Sequence, residues 1–309
     1  MPQKRGYIYG PVASRRLGSS LGIDLVPRKI CDYDCIYCQL GATTRCTTRR
    51  KAYVPAGDIL LQLERRLPEI ARPDYITISG SGEPTLNSEL GEIIAGIRRL
   101  SDTPIAVITN SSLLGDDDVA VACSGADLVV PSLDAADEET FRAVNRPCRG
   151  LGLREVAEGL RSFGRYFEGE LWLEVMIIEG INSGEDHVSR LAEAIEGIAL
   201  EKVQINTVVR PPAEPSAHPV EREKLEKLAS LLGDRAEIIG PVRHWETAEG
   251  GGPDREEILD FLGRRPCTIR DVSAAMDINY IEASKVLSEM VEEGLATFES
   301  HGGEVYYQS

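Results

Sequence analysis

The chain has 309 residues, of which 42% are hydrophobic and 27% charged, and a formal net charge of −16. This length and composition predict one large α/β domain or about two average ones, and exclude disordered, collagen-like and small disulfide-rich proteins. No apolar run approaches the roughly 18 residues of a membrane span, and the first residues lack the apolar core of a secretory signal. The sequence therefore predicts a cytoplasmic protein without membrane contact.

Charge is unevenly distributed along the chain. Residues 1–57 carry a net charge of +7, residues 58–252 carry −16 and residues 253–309 carry −7. An acidic body repels the phosphates of nucleic acids, so broad binding of DNA or RNA is not expected, with tRNA kept as the exception. The basic first stretch is either a solvated surface loop or an anion-facing rim around a site.

Short β-branched runs alternate with amphipathic helical patterns between about residues 20 and 245. Strands are predicted at 21–26, 75–79, 105–109, 127–131, 171–178, 202–208 and, weakly, 236–239. Helices are predicted near 57–67, 87–99, 115–122, 137–144, 153–165, 185–196 and 220–232. This alternation predicts a parallel sheet, in a partial or full barrel or an open doubly wound sheet, with function at the carboxyl ends of the strands.

The last part of the chain has a different pattern. A Gly-rich linker is predicted at 247–254, followed by helices at 255–262, 269–276 and 280–293 and a hairpin of 296–300 with 305–308. Three helices and a hairpin predict a small winged-helix domain over 255–309. Its third helix has one lysine and four glutamates, which disfavours DNA binding. Contact with a protein partner, or covering of an active site, is the favoured role, and a structural appendage is the alternative.

Three cysteines directly follow the first predicted strand of this sheet. Cys31, Cys35 and Cys38 form the pattern C-x3-C-x2-C, and a loop wrapped around one centre would let all three bind it. A structural zinc normally takes four protein ligands, and the nearest fourth thiol is Cys46, with no histidine before His187. Three cysteines suit a [4Fe–4S] cluster with one open iron. Zinc binding or unligated thiols are the alternatives.

With Tyr37 before the last cysteine, the pattern resembles the signature of the radical S-adenosylmethionine (SAM) superfamily. The resemblance implies a partial (β/α)6 TIM-like barrel over residues 1–246, with its core at about 20–245. It also implies that the open iron binds the amino and carboxylate groups of SAM. One electron would then cleave SAM to methionine and a 5′-deoxyadenosyl radical, which abstracts hydrogen from a substrate.

The second predicted strand ends in a glycine-flanked turn, ISGSGEPTL. Glycine lets backbone approach a ligand closely, and the turn also holds a carboxylate. After the cysteine pattern, this turn resembles the GGEP motif of the superfamily, which implies that SAM's amino group is bound by Gly80, Ser81, Gly82 and Glu83. The plain alternative is an ordinary strand-to-helix turn.

Polar residues also follow or lie on the later strands. The resemblance implies SAM or substrate contacts for Asn110, Ser111, Ser132 and Asp134, whereas helix caps and Asx turns are the plain interpretation. On the next two strands, polar residues are spaced by two and therefore share a face, which predicts that Glu174 and Asn206 point into the barrel lumen.

Several residues are candidates for substrate contact. Arg15, Arg16 and Arg210 are expected to approach the same mouth, since guanidinium suits a carboxylate or phosphate; surface arginines are the alternative. The segment FRAVNRP resembles a stretch near the radical site of radical SAM activases and tRNA enzymes. It makes Asn145 and Arg146 candidates as well.

A narrower resemblance covers roughly residues 6–215. It is to the iron–sulfur oxidoreductase subgroup related to the wyosine-base tRNA-modifying enzymes. No flavodoxin module is recognisable, which implies a separate electron donor, a ferredoxin or flavodoxin. The molybdopterin-precursor cyclase family has a second cysteine trio, whereas only Cys267 follows Cys148 here. Cys46, Cys123 and Cys148 are expected to be separate buried residues.

Three hypotheses follow. The leading one is a radical SAM enzyme acting on an unidentified small molecule or protein side chain. The second is a tRNA-base-modifying radical SAM enzyme, favoured by the subgroup resemblance and opposed by the acidic charge. The third is a non-catalytic iron–sulfur sensor that acts through its C-terminal domain.

Overall fold

The computed structural model describes residues 6–240, 255–276, 278 and 280–309, except for the side chain of residue 13. The predicted linker at 247–254 lies outside the described residues. None of the helices in the described ranges is long and apolar enough to cross a membrane.

An eight-stranded sheet forms the centre of the protein, in the order β1-β2-β5-β6-β7-β8-β9-β10. The strands in chain order are β1 Ile8–Ser14, β2 Gly18–Asp24, β3 Ile30–Cys31, β4 Arg45–Cys46, β5 Tyr75–Ser79, β6 Ile105–Thr109, β7 Leu128–Pro131, β8 Glu170–Ile177, β9 Lys202–Thr207 and β10 Ala236–Ile238. From β2 to β10 every pairing in this sheet is parallel. The predicted α/β fold is confirmed, and β3 and β4 pair separately beside it.

The sequence analysis missed β1, which pairs antiparallel with β2 at the edge of the sheet. Its segment contains Gly10 and Pro11, which weaken the pattern of a strand. Proline is tolerated there because an edge strand has one side without ladder hydrogen bonds, and the register shifts between Tyr9 and Val12.

Helices connect the parallel strands and cover one face of the sheet. They are α1 Ala56–Arg66, α2 Leu90–Leu100, α3 Asp117–Cys123, α4 Glu138–Val144, α5 Leu153–Tyr166, α6 Glu185–Ile195 and α7 Arg222–Leu231. The side chains of Asp116 and Asp137 cap α3 and α4 by accepting backbone N–H bonds. The helix expected from residue 87 begins at 90, because the Asn87 side chain donates to two backbone carbonyls instead.

Alternation along the strands separates the apolar core under the helices from the lumen face, which has polar residues and a smaller apolar cluster. Leu21 and Ile23 of β2 and Ile78 of β5 are buried in the core formed with the helices. Ser20 and Thr77 lie on the other face, where their hydroxyls are 2.6 Å apart. Because strand side chains alternate with a period of two, the same strands build both surfaces.

The C-terminal elements are α8 Arg255–Leu262, α9 Ile269–Met276, α10 Tyr280–Glu292, β11 Thr297–His301 and β12 Glu304–Gln308. They have a hydrophobic cluster of their own, which also packs against Val12 of β1. The observed elements lie within one residue or so of the predicted ones. The division into domains and the winged-helix assignment stay predictions.

Two of the cysteines depart from expectation. Cys46 and Cys148 form a disulfide, and Cys46 is exposed, so the prediction of separate buried residues is wrong for this pair. Cys123 is buried. The partners are 102 positions apart in sequence, and beside the disulfide the Cys148 N–H donates to the carbonyl of Asp32 at 2.8 Å. Local sequence carries no signal for such a pairing.

Candidate active site

Cys31 is the last residue of β3, Cys35 and Cys38 follow it in the cysteine loop, and all three thiols are free. Burial raises the pKa of the Cys31 and Cys35 thiols well above the ordinary thiol value. Among the described His, Cys, Asp and Glu side chains, no group of three is arranged to hold a single metal ion. The trio fits an iron–sulfur cluster, in which each cysteine binds a different iron.

A nitrogen donor lies beside each of these sulfurs. The donors and distances are Lys29 Nζ at 3.1 Å from Cys38 Sγ, Asn145 Nδ2 at 3.6 Å from Cys35 Sγ and Asn110 Nδ2 at 3.8 Å from Cys31 Sγ. N–H groups and a positive charge beside sulfur stabilise thiolate ligands and tune a cluster's potential. Lys29 was missed in the sequence. Its signal is a basic residue within two positions of the first cysteine.

The glycines of the GSGE turn allow close packing against β2 and the cysteine loop. A Cβ on Gly80, whose φ is +114°, would lie 1.7 Å from Oδ1 of Asp24, and a Cβ on Gly82 would lie 2.0 Å from the carbonyl oxygen of Ile30. The Ser81 N–H and hydroxyl donate to the Asp24 carboxylate at 2.7 and 3.2 Å. The turn is therefore fixed by Asp24, a residue that the sequence analysis did not single out.

Glu83 is buried, and its carboxylate accepts hydrogen bonds within the protein. The donors are the Thr85 N–H and hydroxyl at 3.0 and 2.6 Å, the Thr109 hydroxyl at 2.7 Å and the Asn110 N–H at 2.8 Å. Burial raises the pKa of Glu83 to about 7. In this arrangement Glu83 ties the end of β5 to the end of β6, and its contact with SAM stays a prediction.

Asp134 is a second buried carboxylate with a complete set of donors. It accepts from the Tyr37 hydroxyl at 2.5 Å, from Asn145 Nδ2 at 2.7 Å and from the Met176 N–H at 2.9 Å. Burial raises its pKa to about 6. The structure thus brings Tyr37, Asp134 and Asn145 together from three separate motifs, next to the sulfur of Cys35.

Asp32, inside the cysteine loop, is a third such carboxylate. It accepts from Asn110 Nδ2 at 2.6 Å and from the Ser112 hydroxyl at 2.5 Å. Nearby, the Ser111 hydroxyl donates to the carbonyl of Ser132 at 2.7 Å. The polar residues after β6 therefore hold the cysteine loop and the strand ends together.

A cavity of about 340 Å³ opens from the cysteine loop into the lumen of the sheet. Eight of the residues selected from sequence line it: Arg15, Arg16, Tyr37, Cys38, Gly80, Glu174, Asn206 and Arg210. Ten lie outside its lining: Cys31, Cys35, Ser81, Gly82, Glu83, Asn110, Ser111, Ser132, Asp134 and Asn145. Arg146 also lies outside it, half-exposed and paired with Glu214 at 2.6 Å.

The C-terminal elements contribute to the same cavity. Phe261, Arg264 and Arg265 line it from the end of α8. Arg264 is buried, forms an ion pair with Asp24 and donates to the carbonyl of Gly6 at 2.7 Å. None of these three was selected from sequence, where their only signal is a pair of arginines in the segment LGRRPC.

Comparison with known proteins identifies relatives over most of the chain. The model of the radical SAM superfamily matches residues 25–192. A UPF0026 protein of Methanocaldococcus jannaschii is 34% identical over 308 residues, which cover 97% of this chain and 94% of that protein. A protein named GTPase Obg from Brachyspira hyodysenteriae is 34% identical over 303 residues, covering 97% of this chain and only 45% of that protein. A probable GTP 3′,8-cyclase of Methanothermobacter thermautotrophicus is 27% identical over 158 residues, about half of each chain.

Solved structures show the same fold. SuiB from Streptococcus suis bound to S-adenosylmethionine matches with a TM-score of 0.53 and 15% identity, over 71% of this chain and 50% of SuiB.

The relation to wyosine-modifying enzymes stays a prediction. The chain belongs to the radical SAM superfamily and, within it, to the UPF0026 family, as an enzyme whose cofactors are a [4Fe–4S] cluster and SAM.

Proposed function

We propose that this enzyme abstracts hydrogen from a small molecule held in the cavity between the cysteine loop and the C-terminal elements. The observation that carries the proposal is the convergence of Cys38, Gly80 and the polar lumen residues Glu174 and Asn206 on one cavity. Its volume falls in the range of small-molecule sites, and it is lined by a few polar groups on an apolar frame.

The residues around the cavity divide into two roles in this proposal. Cys31, Cys35 and Cys38 would hold the cluster, and the cluster supplies the electron that cleaves SAM to the 5′-deoxyadenosyl radical. Glu174 and Asn206, joined by a 3.1 Å hydrogen bond, would orient SAM or substrate in the lumen. The protein's contribution is positioning and exclusion of water and side reactions.

The acidic charge of the body supports a small molecule over tRNA. Binding of tRNA at low and moderate salt tests this choice, because an enzyme acting on tRNA binds it with a strong dependence on salt. We do not propose the GTP 3′,8-cyclase activity that the name of the archaeal relative gives. The second cysteine trio of the molybdopterin-precursor cyclase family has no counterpart in this sequence. A ferredoxin or flavodoxin is the proposed electron donor.

The test of catalysis is anaerobic reconstitution with iron and sulfide, reduction with dithionite and addition of SAM. We expect 5′-deoxyadenosine and methionine in stoichiometric amounts. Reconstituted protein that binds the cluster but releases no 5′-deoxyadenosine would overturn the proposal and favour the iron–sulfur sensor. The protein is then incubated with a deuterium-labelled metabolite extract. Transfer of deuterium into 5′-deoxyadenosine identifies a substrate.

A further inference from the structure

The cavity is basic although the protein is strongly acidic. Its charged lining consists of five arginines and one glutamate: Arg15, Arg16, Arg210, Arg264, Arg265 and Glu174. Two of the arginines precede β2, one follows β9 and two follow α8. Residues from three distant parts of the chain thus concentrate positive charge at one place in a chain of net charge −16.

Three of these arginines have carboxylate partners. Arg16 pairs with Glu174, Arg210 with Asp271 at 3.1 Å, and Arg264 with Asp24 and Asp260. These pairs are mostly buried, so they neutralise their own charges and fix the walls of the cavity.

The other two arginines have no ion pair within the part of the chain that the structure describes. Arg15 donates to Oδ1 of Asn206 at 3.3 Å, and the guanidinium of Arg265 lies 5.5 Å from the ring centre of Phe261. Both are only partly exposed. Burial, together with the neighbouring guanidinium groups of Arg210, Arg16 and Arg265, lowers the pKa of Arg15 to about 10, against the opposing effect of the Glu174 carboxylate.

For Arg15 this arrangement is unfavourable in the absence of a ligand. For Arg265, against the effect of burial, the Cys267 side chain and the Asp271 carboxylate raise the pKa of the guanidinium. A partly buried cation without a counter-ion costs free energy, and like charges close together add to that cost. An anion bound between the two guanidinium groups removes both penalties. Guanidinium also offers planar, paired N–H donors that match the oxygens of a carboxylate or phosphate.

We propose that Arg15 and Arg265 together bind an acidic group, a phosphate or a carboxylate, of the substrate. The inference rests on the proposed function, because it names the substrate class of the same cavity. It also gives the C-terminal elements a role, since Arg265 completes a site whose other half belongs to the sheet.

Calorimetric titration of the reconstituted full chain with inorganic pyrophosphate, and separately with malonate, tests the inference. We expect wild-type protein to bind at least one of these probes. The probe that binds more tightly identifies the acidic group as a phosphate or a carboxylate. Arg15→Gln and Arg265→Gln should each weaken binding at least about tenfold, the loss expected for charged hydrogen bonds. Arg15→Lys and Arg265→Lys, which keep the charge, should lose less than the Gln variants.

Arg154→Gln is the matched control, because Arg154 is an exposed arginine of α5 paired with Glu158. It should bind the probe as wild type does. Binding of neither probe to wild-type protein, or equal binding by the Gln variants and the control, would contradict the inference. An equal loss of SAM affinity in the Gln variants would also contradict it, because the arginines would then serve SAM itself.

The two proposals fail separately. Protein that forms 5′-deoxyadenosine but binds neither probe retains the proposed function and loses this inference. Protein that binds a probe at Arg15 and Arg265 but never cleaves SAM retains the anion site and loses the proposed function.

Discussion

Buried carboxylates around the cysteine loop differ from two of the arginines that line the cavity in how their charges are compensated. Around the cysteine loop, Asp32, Glu83 and Asp134 are buried carboxylates, and each is fully engaged by donors from the protein. In the lining of the cavity, Arg15 and Arg265 form no ion pair with a carboxylate among the described residues. In our proposal, the carboxylates around the cysteine loop are satisfied by the protein itself, whereas Arg15 and Arg265 are completed by a bound anion.

The largest expected effect is at the cysteine loop. Cys35→Ala should remove the iron–sulfur absorbance and all 5′-deoxyadenosine formation, because two thiolates cannot replace the three that hold the cluster. Anaerobic spectroscopy and product analysis measure both. Cys123→Ala, at a buried cysteine of α3, is the control and should keep cluster and product. A Cys35→Ala variant that retains either one would contradict the ligand assignment.

The next effect concerns the contact between the C-terminal elements and the GSGE turn. Arg264→Ala leaves Asp24 buried without its ion partner. The free energy of unfolding, measured with urea, should therefore fall by about 3–5 kcal/mol. Arg66→Ala removes a more exposed ion pair, with Glu257 at 2.9 Å, and should cost no more than about 1 kcal/mol. Equal losses in the two variants would show that the buried ion pair contributes no more to stability than the exposed one.

The free energy of unfolding should depend on pH through the buried carboxylate of Glu83. The pKa of Glu83 is raised by burial from 4.5 to about 7, so between these values the folded state keeps a proton that the unfolded state releases. Its contribution to stability is therefore complete below pH 4.5 and is lost as the pH rises through about 7.

Glu83→Gln does not titrate, which isolates this contribution. The difference in unfolding free energy, wild type minus Glu83→Gln, should be larger at pH 5 than at pH 8, by up to about 1.4 kcal/mol for each unit of pKa shift. Urea denaturation at the two pH values measures it. A difference that is constant or grows with pH would contradict the raised pKa.

The smallest effect is expected at Tyr37. Tyr37→Phe removes one of the three donors to Asp134 and leaves the other two in place, so the loss should be about 1–2 kcal/mol. Tyr166→Phe at an exposed tyrosine is the control and should change stability within the error of the measurement. No loss relative to that control would show that the Tyr37 hydroxyl is not part of the network.

Sequence patterns were sufficient for most of the fold. Each parallel strand and each helix follows from local alternation of apolar and polar residues, and β1 was missed because Gly10 and Pro11 obscure that alternation. Parts of the site were also predictable, since the cysteine trio and the GSGE turn have fixed spacings along the chain.

Contacts between distant segments were beyond local pattern. Lys29 lies beside the sulfur of Cys38, and Arg264 pairs with Asp24 across 240 positions. The hydrogen bonds that Glu83 accepts from Thr109 and Asn110 at the end of β6 had no signal in the local sequence. Single residues of this kind have no periodicity or spacing that distinguishes them from surface residues.

The sequence by itself determined the α/β alternation and the three-thiol loop, because periodicity and motif spacing are local properties of the chain, and the resemblance of that loop to a known signature indicated the radical SAM class. Only the tertiary structure decided which polar residues are bound inside the protein and which face the cavity. It also decided that arginines from both ends of the chain share one site. The reason is that burial and counter-ions depend on which segments pack together, and this packing is set by the whole fold.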